Sequence, residues 1–406
     1  MLSLLLATAI VAAAPVAEWP GFRGDGTSLT SVADLPLKWS DTEGVAWQIE
    51  TTGYGQSSPV VWGDKIFVTS IDGESKERCL VACYGLKDGK RLWQKELTAA
   101  VKVKDSDYVS RAAPTPIADA QRVYAFFESG DLFAFDHAGA QLWHRNLGKE
   151  YGEYQGNHGL GGSLAQSGDA LLVVVDHDGP SYLLAVSKQT GANKWKVERP
   201  SNISWSSPVV ASPPAGNPNA PTEVIVSSKG RVEAYDVADG KLRWSLTGVQ
   251  GNTTASPTVT EKLVIVGSSD VGQSVAIKRE GKGTLGEGDV AWRLTDAAAS
   301  FSSPLAYQGK VYFINKSGVA TCVEQATGKP LWTHRLASAW ASPIGAAGRI
   351  YYFGKDGTTS VVGPGAEFES LSENALTIDG RLYGVAAVPG AFVLRTGRKL
   401  ICVGKP

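Results

Sequence analysis

From residue 58 onward the chain is a succession of short apolar stretches broken by polar turns rich in glycine. The segment Pro304 to Trp332, PLAYQGKVYFINKSGVATCVEQATGKPLW, shows the unit: strand, Gln308-Gly309 turn, strand, Ser317-Gly318 turn, strand, a turn at Gly328, strand. Apolar stretches of this length bounded by glycine turns predict four antiparallel strands per unit.

Two signals mark the repeats. A Gly-x-x-x-Trp pair recurs as Gly89/Trp93, Gly139/Trp143, Gly191/Trp195, Gly240/Trp244, Gly288/Trp292 and Gly328/Trp332. Counting Trp47 as the first, successive tryptophans lie 46, 50, 52, 49, 48 and 40 residues apart, the period of a propeller blade. A leading pair opens each repeat: Ser58-Pro59, Ala113-Pro114, Ser207-Pro208, Ser256-Pro257, Ser303-Pro304 and Ser342-Pro343, with Leu164 in place of proline in one blade. Proline suits the first residue of a strand. The glycines are expected to supply positive φ, and each tryptophan to pack between sheets and give its N–H to a backbone acceptor.

Each sheet has two apolar faces and must stack on neighbours, so the expected fold is all-β, a closed ring of blades. Blades beginning near residues 58, 113, 163, 207, 256, 303, 342 and 384 make eight. In the seventh, Phe368 is read as the anchor in place of tryptophan. The eighth ends before a fourth strand, and the strand around Val45–Ile49, with Trp47, is expected to complete it. The organisation read from the chain is a leader over residues 1–17, an N-terminal extension over 18–43 and one propeller domain over 44–406.

The apolar run Leu2 to Ala14 has the length of a signal-peptide core and is too short to span a bilayer. Export to the periplasm or medium is therefore expected, with no later stretch long enough for a membrane helix. No cysteine lies within residues 1–78 to accept a lipid, so no lipid anchor is expected. The four cysteines, Cys79, Cys83, Cys322 and Cys402, do not read as staples. Cys83 and Cys322 occupy the position of Ala185 and Ala234 in other blades, and Cys79 and Cys83, four apart on one strand, would be about 13 Å from each other. Lys+Arg 39 against Asp+Glu 40 gives no net field to hold a nucleic acid, while 43% hydrophobic and 19% charged residues exclude a disordered chain. A monomer is expected.

These leading pairs and Gly-x-x-x-Trp endings resemble the PQQ-like β-propeller repeat over residues 44–406. That family includes quinoprotein alcohol dehydrogenases, which hold pyrroloquinoline quinone and calcium, and non-catalytic relatives such as BamB, a propeller of outer-membrane β-barrel assembly. The stretch Trp19-Pro20-Gly21-Phe22-Arg23-Gly24 is similar to the WPxFRG segment that opens many exported propellers of this type, and is read as packing over the outside of the ring.

The enzymes of the family carry adjacent cysteines over the quinone and Glu, Asn and Asp toward calcium; here no two cysteines are adjacent and no acidic residue matches those positions. No Gly-x-Ser-x-Gly, His-Glu-x-x-His or Walker loop is present. Asp176-His177-Asp178-Gly179 falls where other blades have a polar hairpin turn and is read as one. The loop Gly156–Ser163 contains His158, the one histidine read as a candidate acid or base. The residue three before each leading proline, or before its replacement, falls at the mouth of the central channel: Gln56, Arg111, Gly161, Trp205, Thr254, Phe301 and Trp340, with Tyr383 nearby. Large aromatics there, beyond the framework anchors Trp47, Trp93, Trp143, Trp195, Trp244, Trp292, Trp332 and Phe368, suggest a binding surface for a protein, a peptide or a small ligand. The alternative use of the same rings is a plug that fills the channel. The expected function is a non-catalytic binding module that needs no cofactor. The competing expectation is a quinone- and calcium-dependent alcohol or sugar dehydrogenase.

Overall fold

The computed structural model describes residues 17–101, 110–156 and 158–406, so the expected leader lies outside it except for Ala17. Among the described residues eight sheets follow one another along the chain, each built on four antiparallel strands running from the axis outward, and two of them gain a short fifth strand. The first blade comprises Val60–Trp62, Lys65–Asp72, Arg78–Gly85 and Arg91–Thr98. The eighth comprises Leu382–Val388, Ala391–Thr396 and Lys399–Gly404, and Val45–Glu50 adds its outer strand with Trp47 opposite Cys402, closing the ring as expected.

The apolar cores lie between blades. Val60, Phe67 and Val81 of the first sheet pack with Val123, Phe133 and Phe135 of the second, for example, and Trp93 lies against them. A bulge immediately before each outer-strand tryptophan sets the direction of its indole. Across the strand pair every one of the seven faces a small residue: Cys402, Cys83, Ala134, Ala185, Ala234, Ala276 and Cys322. Three of the four cysteines thus belong to the framework, and all four are free and buried.

The repeated glycine is the seat for the preceding blade's indole. A Cβ on Gly89, Gly139, Gly191, Gly240 or Gly328 would come within 2.6–2.9 Å of Trp47, Trp93, Trp143, Trp195 or Trp292, respectively. The same five indoles donate their N–H to a carbonyl of that turn: Leu86, His137, Lys188, Val237 and Gln325, at 2.9–3.0 Å. All five glycines have φ between 68° and 87°, so both conformation and space select glycine.

One turn glycine and one anchor differ from expectation. Gly288 lies in the short 3-10 turn Glu287–Asp289 and is not at positive φ, because the chain first runs out to pair Gly283–Thr284 with the outer strand of the fourth blade. Leu285 of that excursion enters the core around Trp244. In the seventh blade the bulge places Ser372, four residues beyond Phe368, opposite Val361 at the tryptophan position. Phe368 instead packs back on the sixth blade, stacked 3.7 Å from His334 and edge-on to Trp332. The space between the seventh and eighth blades is taken by Trp39, whose backbone N–H binds Asn374 Oδ1 and whose ring lies 6.0 Å from Phe392. Trp244 and Trp332, the two indoles that face a blade without the turn glycine, are the two that find no backbone acceptor.

The WPGFRG segment does not pack outside the ring; it fills the channel. Glu18–Trp19 pairs with Val61 and Trp62 on the axial edge of the first blade, and Ala118 donates to Pro20 O. Gly21 packs on Ile117 of the second blade and Gly26 on Val209 of the fourth. Leu29 bridges Gly345 of the seventh. Arg23, fully buried, donates to Pro257 O (2.9 Å), Thr258 Oγ1 (2.7 Å) and Pro304 O (3.0 Å), tying the fifth and sixth blades to the segment. Ala17 O accepts from Gly63, at the end of the first inner strand away from Ser58, so the segment enters from the face opposite the predicted mouth.

Candidate functional site

The Ser of each leading pair builds a belt around the channel. The backbone N–H of Ser58 donates to Thr115 Oγ1, Thr115 to Ser163, Ser163 to Ser207, Ser207 to Ser256, Ser256 to Ser303 and Ser303 to Ser342, at 2.9–3.1 Å. In the eighth blade Gly384 takes the position, since a Cβ there would lie 2.2 Å from Ser58 Oγ. The belt corrects the second blade: Thr115-Pro116, not Ala113-Pro114, leads the strand Ile117–Ala118. The adjacent proline at 114 hid the shift of two residues.

Above the belt the structure brings Gln56, His158, Gly161, Trp205, Thr254, Phe301, Trp340 and Tyr383 around one open cavity of about 450 Å³. Phe22 of the channel segment forms part of its floor. Arg111 does not line it. With the register corrected, the equivalent position is Ala113, which does, while the Arg111 guanidinium lies 4.9 Å from the Tyr54 ring centre and its backbone exchanges hydrogen bonds with Gln56.

The two sides of the mouth are built differently. On one, Trp205 donates to Gly159 O (2.9 Å), its ring lies 5.7 Å from His158, and Gly161 leaves room for it, since a Cβ would come within 3.0 Å. On the other, rings run in series: Phe301 is stacked on Trp340 at 4.7 Å, Trp340 meets Tyr383 edge-on at 5.5 Å, and the Tyr383 and Tyr54 hydroxyls are 2.7 Å apart. Burial and the Tyr383 hydroxyl push the Tyr54 phenol above its ordinary range. Arg381 lies 4.9 Å from the Trp340 ring centre and Arg398 5.8 Å from that of Tyr54. The leading-proline offset does not reach Tyr54, Arg381 or Arg398, which come from different blade turns and meet only through ring closure.

Among the described residues the lining contains no Asp, Glu, Lys or Arg. Nearby Glu128, buried beside Ala112, is held by Lys76. Among the described residues no group of three or more His, Cys, Asp or Glu side chains could hold a metal ion. The rings could receive a flat ligand, and among the described residues the lining holds no acidic donor set of the kind a calcium ion takes. Asp176–Gly179 is a hairpin turn as expected: Asp176 is bound by Arg199 at 3.0 and 3.2 Å, and His177 accepts from Gln155 and Gly179 while its other nitrogen bonds Pro180 O. Burial lowers the His177 pKa from its ordinary value. Asn157, beside His158, lies outside the described residues. Among the described residues no helix is long and apolar enough to cross a membrane.

The family model described as outer membrane protein assembly factor BamB matches residues 13–157 and 134–362. A curated protein of that name from Moranella endobia (strain PCIT) is 25% identical over 252 residues, covering 57% of this chain and 59% of that protein; the match thus spans about three fifths of the relative's length. The crystal structure of BamB from Moraxella catarrhalis superposes with a TM-score of 0.63 at 16% identity, over 89% of this chain and 97% of that one. Quinohemoprotein alcohol dehydrogenase from Comamonas testosteroni gives 0.69 at 12% identity, over 95% and 80%. At those identities both superpositions speak for the fold alone.

Proposed function

The chain belongs to the family of the outer membrane protein assembly factor BamB, and from that premise we propose that it is an exported, non-catalytic propeller that holds partner proteins at its channel mouth during outer-membrane protein assembly. The observation that carries the reading is the cavity itself. Rings from four blades converge over a floor closed by Phe22, and among the described residues the lining combines no nucleophile with an aligned base and no acidic metal-binding set. The channel segment argues for a docking surface, because it, rather than Trp205 or Trp340, fills the ring's axis. A partner is then met by half-buried aromatic side chains, the residue type that dominates protein interfaces.

Photo-crosslinking in cells tests this. A photoreactive residue at Trp340 is expected to give crosslinks to proteins of outer-membrane assembly that are absent when it replaces Leu242, an exposed outer-strand residue. Equal crosslinking at both positions would remove the mouth from the reading. Titration with pyrroloquinoline quinone and Ca²⁺ is expected to give no dye reduction with alcohols or sugars; saturable tryptophan quenching accompanied by turnover would make the chain an enzyme.

A further inference from the structure

The chain carries almost no net charge, yet several arginines gather around the mouth. Among the described residues no carboxylate lines the cavity, while four guanidiniums surround or underlie it and none of them forms an ion pair with a described carboxylate. Arg381 and Arg398 lie over Trp340 and Tyr54, and among the described residues no carboxylate forms an ion pair with either. Beneath Tyr54, Arg395 is fully buried; it donates to Ser70 Oγ at 2.8 Å and leaves Nη1 without a partner. Gly55 makes room for it, since a Cβ there would stand 2.6 Å from its Nη2. Arg23, next to the floor residue Phe22, bonds only to hydroxyls and carbonyls. Burial pulls both Arg23 and Arg395 down to about 10, which leaves them charged at neutral pH. Arg395, buried without a carboxylate partner, and Arg23, with only Asp25 to offset it, sit in low-dielectric protein that focuses their field toward the opening.

Building on the mouth as the docking face, we infer that the arc Phe301–Trp340–Tyr383–Tyr54 is a site for an acidic peptide segment that presents an aromatic or large apolar side chain between carboxylates. The rings require a flat or bulky apolar group, and the two surface guanidiniums sit on separate rings of the arc. A ligand that satisfies both therefore carries at least two negative groups with the apolar group between them. In an extended chain alternate side chains share one face about 7 Å apart, so a segment of the form acidic-x-aromatic-x-acidic presents such a set on one face. Cationic segments are disfavoured by the same field, so the site selects as well as binds.

Calorimetric titration of the full chain with three capped peptides tests the inference: acetyl-Glu-Ser-Phe-Ser-Glu-amide, acetyl-Lys-Ser-Phe-Ser-Lys-amide and acetyl-Glu-Ser-Ser-Ser-Glu-amide. The first is expected to bind more tightly than either of the others by about tenfold or more, with affinity falling as salt rises. The double variant Arg381→Glu/Arg398→Glu, the first residue half-buried and the second exposed, is expected to reverse the preference between the Glu and Lys peptides while keeping Tm close to that of the wild type. Equal binding of the Glu-Phe and Lys-Phe peptides, lost in Trp340→Ala, would overturn the charge selection and leave the mouth as a docking face. Binding of the acidic Phe peptide that survives both Trp340→Ala and the charge reversal would overturn the assignment of the arc, and binding of no peptide would overturn the peptide site; the crosslinking experiment judges the docking face separately.

Discussion

Two sets of tryptophans in this molecule share a side chain and little else. The framework indoles sit between sheets; five of the seven are seated on a neighbour's turn glycine and bonded to the carbonyl of that turn. Trp205 and Trp340 sit where outer strand passes to the next inner strand, half-buried, and face a cavity rather than a sheet. The difference teaches that an aromatic ring's role here follows from its place relative to the blade interface. Rings inside the interface hold the circle together, and rings beyond its end line the open cavity.

The strongest way to break the comparison is to truncate one ring of the first set. Trp244→Ala removes a fully buried indole and is expected to cost about 3–5 kcal/mol, read as a large fall in denaturation midpoint. A loss below about 1 kcal/mol would mean that the interface does not depend on its indoles. Removing the seat instead of the ring comes next. Gly191→Ala places a methyl group 2.9 Å from the Trp143 ring at φ +73° and should cost about 2 kcal/mol, with near-ultraviolet dichroism reporting the displaced indole. A smaller effect sharpens the link between glycine and acceptor. Trp143→Phe leaves the Lys188 carbonyl unpaired and Trp244→Phe strands no backbone acceptor, so the first should lose about 1 kcal/mol more than the second in chemical denaturation.

For the second set the expected stability loss is smaller still. Trp205→Ala and Trp340→Ala should each cost about 1 kcal/mol or less while weakening ligand binding; a collapse of Tm would show that they serve as structure. The smallest effect concerns the mouth-side turn around His177. Its pKa is lowered in the folded chain by burial, so on acidification the unfolded chain takes up the proton first. Stability contributed by this histidine is present above its ordinary pKa and is lost as pH falls through the lowered one. His177→Gln should flatten that acid limb of a Tm-against-pH curve, and an unchanged limb would assign it to other groups.

Much of the framework was legible because its causes are local. A turn glycine, a small residue across the pair and a tryptophan after the bulge recur at fixed offsets, and each offset reflects backbone geometry within a single blade. The same locality misled where the local pattern was ambiguous. The run Ala113-Pro114-Thr115-Pro116 offers two leading pairs, and only the hydroxyl belt shows which is used. Phe368 is aromatic near the expected place, yet the bulge puts Ser372 there.

By itself, then, the sequence determined an eight-bladed ring closed by its N-terminal strand, and most of the residues that gather at the mouth, because repeat spacing converts position along the chain into position around the axis. Tertiary structure alone decided the rest. That Trp19 to Leu29 fills the channel, that Trp39 takes the space missing a framework tryptophan, and that Tyr54, Arg381, Arg395 and Arg398 form one positive aromatic wall all depend on contacts between segments far apart in the chain. No period encodes such contacts; they exist only once the ring has closed and brought its first and last blades together.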